Sequence, residues 1–262
     1  MEIPVFRWYD AITKRRSRRL FVQRPIDQKL IEGLDSVCEE FRPFKETRAI
    51  LVDHSADSVF KGAISHYGKI KNAPAFIAFV GNKDDPNVHE KAGYLGEAIV
   101  LEATALNLGT CWVGGFFRPE VAASLVGIRE NERVFAVTPV GYVSEKWSLE
   151  ERIMTGFGRT HRRKPLSELV TGLAEQTWPM WVKTALEAAR LAPSAVNRQP
   201  WRFHAEPDCI TISVDNLNDT FNIPKRLDCG IAMLHIELAS LYCGMEGKWQ
   251  FLELPNVARF IV

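Results

Sequence analysis

The segment LAPSAVNRQPWRF spans residues 191–203, and its two prolines bracket small polar residues that lead into Trp201. The residue before a proline is pushed toward extended geometry, so a helix ending at Leu191 must continue as a stiff, exposed loop. A plain connector between a helix and a strand would explain the prolines alone. The loop also displays Ser194 and Asn197 while Trp201 anchors its far end, which favours a rigid wall for a flat ligand.

A second unusual segment, KRRSRRLF, lies far upstream at residues 14–21. Like charges at close range repel by about 1 kcal/mol in water and by several times more near a protein surface, so clustered arginines favour full solvation or an anionic partner. A solvated basic face, a nuclear-import signal or a nucleic-acid patch is one interpretation. The embedded serine and the Leu20-Phe21 pair favour the other, because arginine forks with a hydroxyl suit a phosphate. The arginines are Arg15, Arg16, Arg18 and Arg19.

The third segment is GTCWVGGF at residues 109–116, which follows a long apolar pattern. Its glycines allow the backbone to approach another group closely. A tight turn would require the same residues, so this segment alone indicates little.

Composition excludes several classes of protein. The chain has 262 residues and a net charge of +1, which argues against a protein that coats nucleic acid. No apolar run approaches the roughly 18 residues of a membrane span, and the first residues do not resemble a signal peptide, so we expect a cytoplasmic protein. The five cysteines and six histidines lack metal-ligand spacing, so no metal site is expected.

Hydrophobic periodicity predicts alternating helices and strands. Helices are expected at 7–14, from Ile26 with Asp27 as cap, at 89–108 with a stop at Gly109, at 181–191, and from a cap at Asp228 to Gly244. Strands are expected at 48–53, 74–81, 133–143, 201–206 paired with 209–215, and 248–254, with a strandless connector at 144–165.

A weak internal repeat accompanies this order of elements. Superposing Gly244 on Gly109 also matches Glu237 with Glu102, and Leu241 with Leu106. The sequence therefore predicts two related α+β halves joined near the connector.

Taken together, the three segments resemble the nitroreductase superfamily of flavin enzymes. The family carries an Arg-Arg-Ser-x-Arg cluster, an Ala-Pro-Ser-x-x-Asn-x-Gln-Pro-Trp loop, a Gly-Thr-Cys-Trp segment running to Gly-Gly-Phe, and a late Arg-Lys-Pro-Leu piece after a Gly-Tyr strand end. The matching positions are 15–19, 192–201, 109–116, 163–166 and 141–142.

The resemblance also suggests why the motifs are distant. In ordinary members the proline loop follows the arginine cluster by a few tens of residues, and two subunits share flavin mononucleotide (FMN) at their interface. Here CEEFRPFKETRAIL stands at that place in the first half, and the second half lacks the cluster. We therefore expect a nitroreductase-like fold of two α/β sandwich halves, 1–165 and 166–262, fused as an intramolecular pseudo-dimer with central buried helices. Such a chain would act as a monomer.

The resemblance further implies roles for individual residues. Arg15, Arg16 and Ser17 would hold the phosphate and ribityl chain, with Arg163 and His161 completing the grip. Arg19 would lie by the N1 and C2 carbonyl edge of the ring, and Lys69 by its O4 side. Gly114 and Gly115 would bring amides to the N5 edge, although many relatives carry Glu at the first position. The remaining expected contacts are Trp112, Val113, Pro193, Ser194, Ala195 and Asn197.

The implied activity is hydride transfer from NADH or NADPH through flavin N5 to a small planar acceptor such as a nitroaromatic or quinone. No side chain acts as nucleophile or base, because the cofactor carries the chemistry. Two alternatives stay open: a flavin-binding redox sensor or idle paralogue without turnover, and a nucleic-acid binder that uses the basic cluster.

Overall fold

Two β-sheets and a pair of central helices form the framework of the chain. The computed structural model describes residues 1–61, 70–144, 162–219 and 222–262. Its helices are α1 (Val5–Lys14), α2 (Gln28–Glu40), α3 (Ala56–Phe60), α4 (Val88–Ala105), α5 (Pro119–Val126), α6 (Leu166–Leu169), α7 (Met180–Arg190) and α8 (Lys225–Tyr242). Its strands are β1 (Thr47–Val52), β2 (Ala75–Asn82), β3 (Gly109–Thr110), β4 (Glu132–Gly141), β5 (Val170–Gly172), β6 (Trp201–Ala205), β7 (Cys209–Val214), β8 (Lys248–Phe251) and β9 (Asn256–Ile261).

The two sheets repeat one topology. The first has the order β1-β2-β4-β3 with antiparallel pairs. The second has the order β5-β6-β7-β9-β8, in which β5 and β6 are parallel and the other pairs are antiparallel. Apart from β5, the strands follow one another along the chain in the same order in both sheets. In each half, a long helix lies between the second and third of these strands along the chain: α4 between β2 and β3, and α8 between β7 and β8. The repeat confirms the predicted α+β fold with two related halves.

Strand β2 is buried on both faces, which explains its unbroken apolar sequence. Successive side chains of a strand point to opposite faces. Phe76 and Val80 belong to the cluster that includes Ala122 of α5, whereas Ile77 and Phe79 belong to the larger core that includes α4 and α8. The larger core runs through both halves, so the two sheets share one hydrophobic interior.

The central helices α4 and α8 are buried around almost their whole circumference. They pack against each other, and α4 also packs on the first sheet while α8 packs on α7 and the second sheet. A helix that is apolar on all sides is stable only inside a protein. The structure thus confirms the central buried helices.

The ends of these two helices correct the alignment of the repeat. Asn107 (φ 60°) and Gly244 (φ 75°) adopt the left-handed conformation that ends many helices. Leu106 N donates to Glu102 O at 3.0 Å, and the equivalent Cys243 N donates to Ala239 O at 3.1 Å. The two halves therefore correspond at an offset of 137 residues, since Asn107 matches Gly244. The alignment of Gly109 with Gly244 was wrong by two positions.

Most predicted elements are present in the structure. The helices predicted from 7, 26, 89 and 181 match α1, α2, α4 and α7, the Asp27 carboxylate accepts a hydrogen bond from Lys29 N at 2.9 Å, and β6 pairs with β7. Three details are wrong. Helix α4 ends at Ala105, so Gly109 begins β3 rather than stopping the helix. Pro224 caps α8 in place of Asp228, and the last predicted strand ends at Phe251.

Some elements escaped the sequence prediction. Strands β5 and β9 and helix α5 were not expected, because each is short and lacks a distinct periodic pattern. Residues 145–161, most of the predicted connector, lie outside the described residues. In the described part of the chain, no helix is both long and apolar enough to cross a membrane.

Candidate functional site

The arginine cluster begins where α1 ends and continues as an extended segment beside β3. Arg15 N donates to Ala11 O at 2.9 Å and Arg18 N donates to Thr110 O at 2.7 Å. Trp8, Ala11 and Arg15 share the buried face of α1 at helical spacing, so the guanidinium of Arg15 enters the interior. Arg16 points outward, and its side chain donates to the carbonyls of Thr13 and Arg15 at 2.8 and 2.7 Å.

Arg15 is buried with few partners for its five N–H groups. Its side chain is 7% exposed, its Nη1 lies 3.5 Å from Ser17 Oγ, and its Nε lies 3.9 Å from Glu97 Oε1. The Nε has no hydrogen-bond partner in the described part of the chain. Burial lowers the pKa of Arg15, although the charge of Glu97 opposes the shift. Unused donors on a buried cation suit an anionic ligand.

Arg163 connects the arginine cluster to the proline loop. Its guanidinium donates to Asn197 Oδ1 and, at 3.0 Å, to Leu191 O. Burial lowers the pKa of Arg163 to about 10, and repulsion from Arg15, Arg16 and Arg190 adds to the shift. The structure therefore brings cations from residues 15–16 and 163 together at one place, against the loop that follows α7.

Hydrogen bonds hold the proline loop in a strained backbone conformation. Val196, Asn197 and Gln199 have φ of 50°, 56° and 49°, a conformation that is costly for residues with a Cβ. Gln199 N donates to Ser194 Oγ at 3.0 Å, and Asn197 Nδ2 donates to Arg162 O at 2.9 Å. The expected extended geometry before Pro200 was wrong, since Gln199 is left-handed.

The loop is also less exposed than the sequence indicated. Pro193, Gln199 and Pro200 are buried, and Ser194 and Asn197 are half-buried and bonded within the loop and to residues 162–163. Trp201 is fully buried, which confirms that it anchors the end of the loop.

Asp228 acts on this loop from the first turn of α8. Its carboxylate accepts hydrogen bonds from Ala195 N at 3.0 Å and from Arg198 Nε at 2.7 Å. Burial raises the pKa of Asp228 to about 6, against the opposing effect of the Arg198 cation. The residue predicted as a helix cap is thus a clamp on the proline loop.

The glycine segment after β3 meets the second half of the chain. Val113 exchanges two backbone hydrogen bonds of 2.9 Å with Val137 of β4. A Cβ at Gly114 would lie 3.2 Å from Ile223 Cγ2 and 3.4 Å from Leu227 Cδ2, so a larger residue would crowd these side chains. Gly115 is exposed. The segment can therefore present backbone amides beside the start of α8.

Glu97, which belongs to none of the sequence motifs, contacts both the glycine segment and the arginine cluster. It is fully buried on α4 and accepts hydrogen bonds from Trp112 Nε1 at 2.7 Å. His235 of α8 lies beside it, with Nε2 3.0 Å from Glu97 Oε1. Glutamates inside a largely apolar helix, of which Glu97 is one, were the available signal, because a buried charge needs partners.

The remaining predicted residues are more dispersed. Arg18 is buried and donates to Ser144 O at 2.9 Å, while Arg19 is half-buried, and its carbonyl accepts from Lys71 N at 2.9 Å. Lys69 and His161 lie outside the described residues. Within the described ranges, no group of His, Cys, Asp or Glu could hold a metal ion.

Comparison with known proteins places these features in a family. A family model described as "Putative TM nitroreductase" matches residues 7–240. A solved structure from Thermotoga maritima, described as a "putative nitroreductase", is 21% identical with a TM-score of 0.67, covering 97% of this chain and 93% of its own. No curated protein matches the chain.

Two shorter solved structures also resemble part of the chain. A nitroreductase with bound FMN from Bacteroides fragilis is 17% identical, covers 54% of this chain and 91% of its own, and has a TM-score of 0.44. An FMN-dependent nitroreductase from Clostridium difficile is 20% identical, covers 53% of this chain and 88% of its own, and has a TM-score of 0.44.

Proposed function

We propose that this chain, which belongs to the family described as putative TM nitroreductase, is an FMN-dependent oxidoreductase that uses NADH or NADPH to reduce a small planar acceptor. Nitroaromatics and quinones are the acceptor classes that fit this chemistry. Bound FMN would supply the hydride-accepting centre, and the protein would supply binding, orientation and electrostatics.

The observation that carries this proposal is the buried guanidinium of Arg15. Its Nε lacks a partner among the described residues, and Arg16 and Arg163 add like charge nearby. A phosphate would provide acceptors for the open donors and would relieve the repulsion between the cations. The residues present therefore fit FMN, whose chain ends in a phosphate.

Other residues of the family motifs would complete the site around this phosphate grip. The Ser17 hydroxyl, next to Arg15, would bind the phosphate or ribityl chain. The proline loop, with Pro193, Ser194, Ala195 and Asn197, would form a wall from the second half. The segment with Trp112, Val113, Gly114 and Gly115 would form the opposite side and offer backbone N–H groups.

Arg19 would supply the positive charge beside the flavin ring. Reduction of a flavin builds negative charge at its N1 and C2 carbonyl edge, and a fixed cation stabilises it. Lys69 and His161 keep their proposed roles at the O4 side and the phosphate, although they lie outside the described residues.

We further propose that each chain holds one flavin. Trp249 and Phe251 occupy the positions equivalent to Trp112 and Gly114 at the 137-residue offset. The Phe251 ring packs 5.6 Å from Phe44, which in turn contacts Tyr94 at 5.3 Å. A side chain therefore lies where the first site has a glycine. The halves 1–165 and 166–262 would thus form a pseudo-dimer with one complete site, active as a monomer.

The absorption spectrum of the purified protein, with and without added FMN, tests cofactor binding. A bound-flavin spectrum that bleaches anaerobically on addition of NADH or NADPH is expected. Bound flavin that neither reductant bleaches would instead indicate a redox sensor or an idle paralogue, and absence of flavin binding would refute the proposal.

A further inference from the structure

We propose that Glu97 is a positioning residue of this site, and that its carboxylate holds the Arg15 guanidinium in place for the phosphate of FMN. The inference rests on the proposed function, because FMN is the ligand whose phosphate Arg15 would bind. It concerns a residue that none of the sequence motifs contains.

The carboxylate of Glu97 is held from two directions and faces a cation on a third. Oε2 accepts from Trp112 Nε1 at 2.7 Å, and Oε1 lies 3.0 Å from His235 Nε2. Oε1 also lies 3.9 Å from Arg15 Nε. The contact with Trp112 fixes the glycine segment, and the contact with Arg15 fixes the arginine cluster. One buried carboxylate therefore connects these two segments.

His235 of α8 holds Glu97 in the interior. The imidazole is fully buried, and its Nδ1 lies 2.8 Å from Ala188 O. Both ring nitrogens thus lie within hydrogen-bond distance of an oxygen atom. Glu97 Oε1 therefore lies between the imidazole of His235 and the guanidinium of Arg15.

The Glu97 carboxylate favours the buried Arg15 cation in the absence of a ligand. The positive charge of Arg16 repels the Arg15 guanidinium, and Arg15 and Arg163 repel each other. Its contact with Ser17 Oγ, at 3.5 Å, is at the limit of a hydrogen bond. Removal of the Glu97 charge would free the guanidinium to leave its buried position for solvent.

Glu237 in the second half is a chemically matched control, although it is not the repeat equivalent of Glu97. Glu237 of α8 accepts hydrogen bonds from Trp249 Nε1 at 2.7 Å and from Tyr94 Oη at 2.8 Å. It thus binds an indole as Glu97 does, while its second donor is a phenol instead of a cation. Glu237→Gln makes the same chemical change away from the arginine cluster.

The test compares FMN with riboflavin, which has the same ring but no phosphate. Glu97→Gln keeps the size of the side chain and an acceptor for Trp112 but removes the charge. Dissociation constants of the full chain for both flavins are measured by fluorescence. We expect Glu97→Gln to weaken FMN binding about tenfold and riboflavin binding by less than about twofold. Glu237→Gln should change neither constant.

A double-mutant cycle separates this role from a general structural one. If Glu97 acts through Arg15, Glu97→Gln should have no further effect on FMN binding in an Arg15→Ala background. An equal loss for both flavins, an unchanged FMN constant, or a full additional loss in that background would overturn the inference. Wild-type protein that does not bind FMN would contradict the proposed function instead.

Folding of the variant is checked by near-UV circular dichroism. If Glu97→Gln does not fold, His235→Leu replaces it, because this change removes the imidazole nitrogen that contacts the carboxylate. The same selective loss of FMN binding is expected, and equal effects on both flavins would refute the role of Glu97.

Discussion

Gly93 and Gly230 occupy equivalent positions on the two central helices, and each lies against a backbone carbonyl of the other helix. A Cβ at Gly93 would be 2.1 Å from Leu227 O, and a Cβ at Gly230 would be 2.0 Å from Glu90 O. Gly93 is equivalent to Gly230, and Glu90 is equivalent to Leu227, at the same offset of 137 residues. Such reciprocal contact is the mark of a two-fold interface, here within one chain.

This close approach predicts that neither glycine tolerates a methyl group. Gly93→Ala and Gly230→Ala should each lower the free energy of unfolding by about 2 kcal/mol or more, because the backbones must separate. Urea unfolding measures the change. Gly33→Ala in α2 is the control, since nothing lies within 4 Å of its Cβ. It should stabilise the protein by about 0.5–1 kcal/mol. Equal stabilities for all three variants would contradict the packing.

The arginine cluster predicts a phosphate-dependent affinity. Arg16→Ala should weaken FMN binding by roughly 1.5–3 kcal/mol, the size of a charge-assisted hydrogen bond, and should affect riboflavin much less. Lys14→Ala removes a neighbouring exposed cation that pairs with Asp10 and should leave the affinity unchanged. An Arg16→Ala protein with wild-type affinity for FMN would sink the assignment of the cluster.

Glu90 predicts a defined dependence of stability on pH. It is buried against Arg226, and burial raises its pKa from 4.5 to about 7. Because the protonated form is favoured in the folded state, the stability from this group is present below about pH 4.5 and is lost as the pH rises to about 7. Across this pH range, the free energy of unfolding of the wild type should fall by up to about 3 kcal/mol relative to that of Glu90→Gln.

Urea titrations at several pH values between about 3 and 8 measure this difference, and the lower end of the range is needed for the control. Glu132 is the matched control, because a hydrogen bond from Arg48 lowers its pKa. Its stabilisation is present above its ordinary pKa and is lost as the pH falls. The stability difference between wild type and Glu132→Gln should therefore grow with rising pH, whereas the difference for Glu90→Gln should fall. The same trend for both variants would contradict the buried environment of Glu90 or the Arg48 contact of Glu132.

Phe251, which stands in the second half where the first half has Gly114, predicts one flavin per chain. Titration of the apoprotein with FMN should end at one equivalent, and sedimentation should show a monomer, because the dimer-like interface is internal. Lys91, whose Nζ lies 5.8 Å from the Phe44 ring and 5.3 Å from the Phe251 ring, already pairs with Glu46 and Asp85. The desolvation of a second phosphate there would therefore be uncompensated. Two equivalents per chain would overturn the argument.

A single flavin site also predicts ping-pong kinetics. Nicotinamide and acceptor would use the same pocket in turn, so double-reciprocal plots should give parallel lines. Steady-state rates at several fixed acceptor concentrations provide the measurement. Intersecting lines would indicate that both substrates bind at once.

The sequence alone determined the parts of this protein whose signal is local. Apolar periodicity located α2, α4 and α7, and an unbroken apolar run bounded by turn or charged residues located β2. The proline loop and the arginine cluster were evident because prolines and clustered charges restrict a chain wherever they occur. The α+β fold and the two related halves followed from the order of these elements.

Only the tertiary structure decided which distant groups meet. In the sequence, Asp228 was a plausible helix cap and Glu97 one of three glutamates in a largely apolar helix. Folding turns the first into a clamp on Ala195 and Arg198, and the second into a partner of Trp112 and His235. Such contacts depend on how the helices cross, and the crossing is set by the close approach at Gly93 and Gly230, which no local pattern specifies.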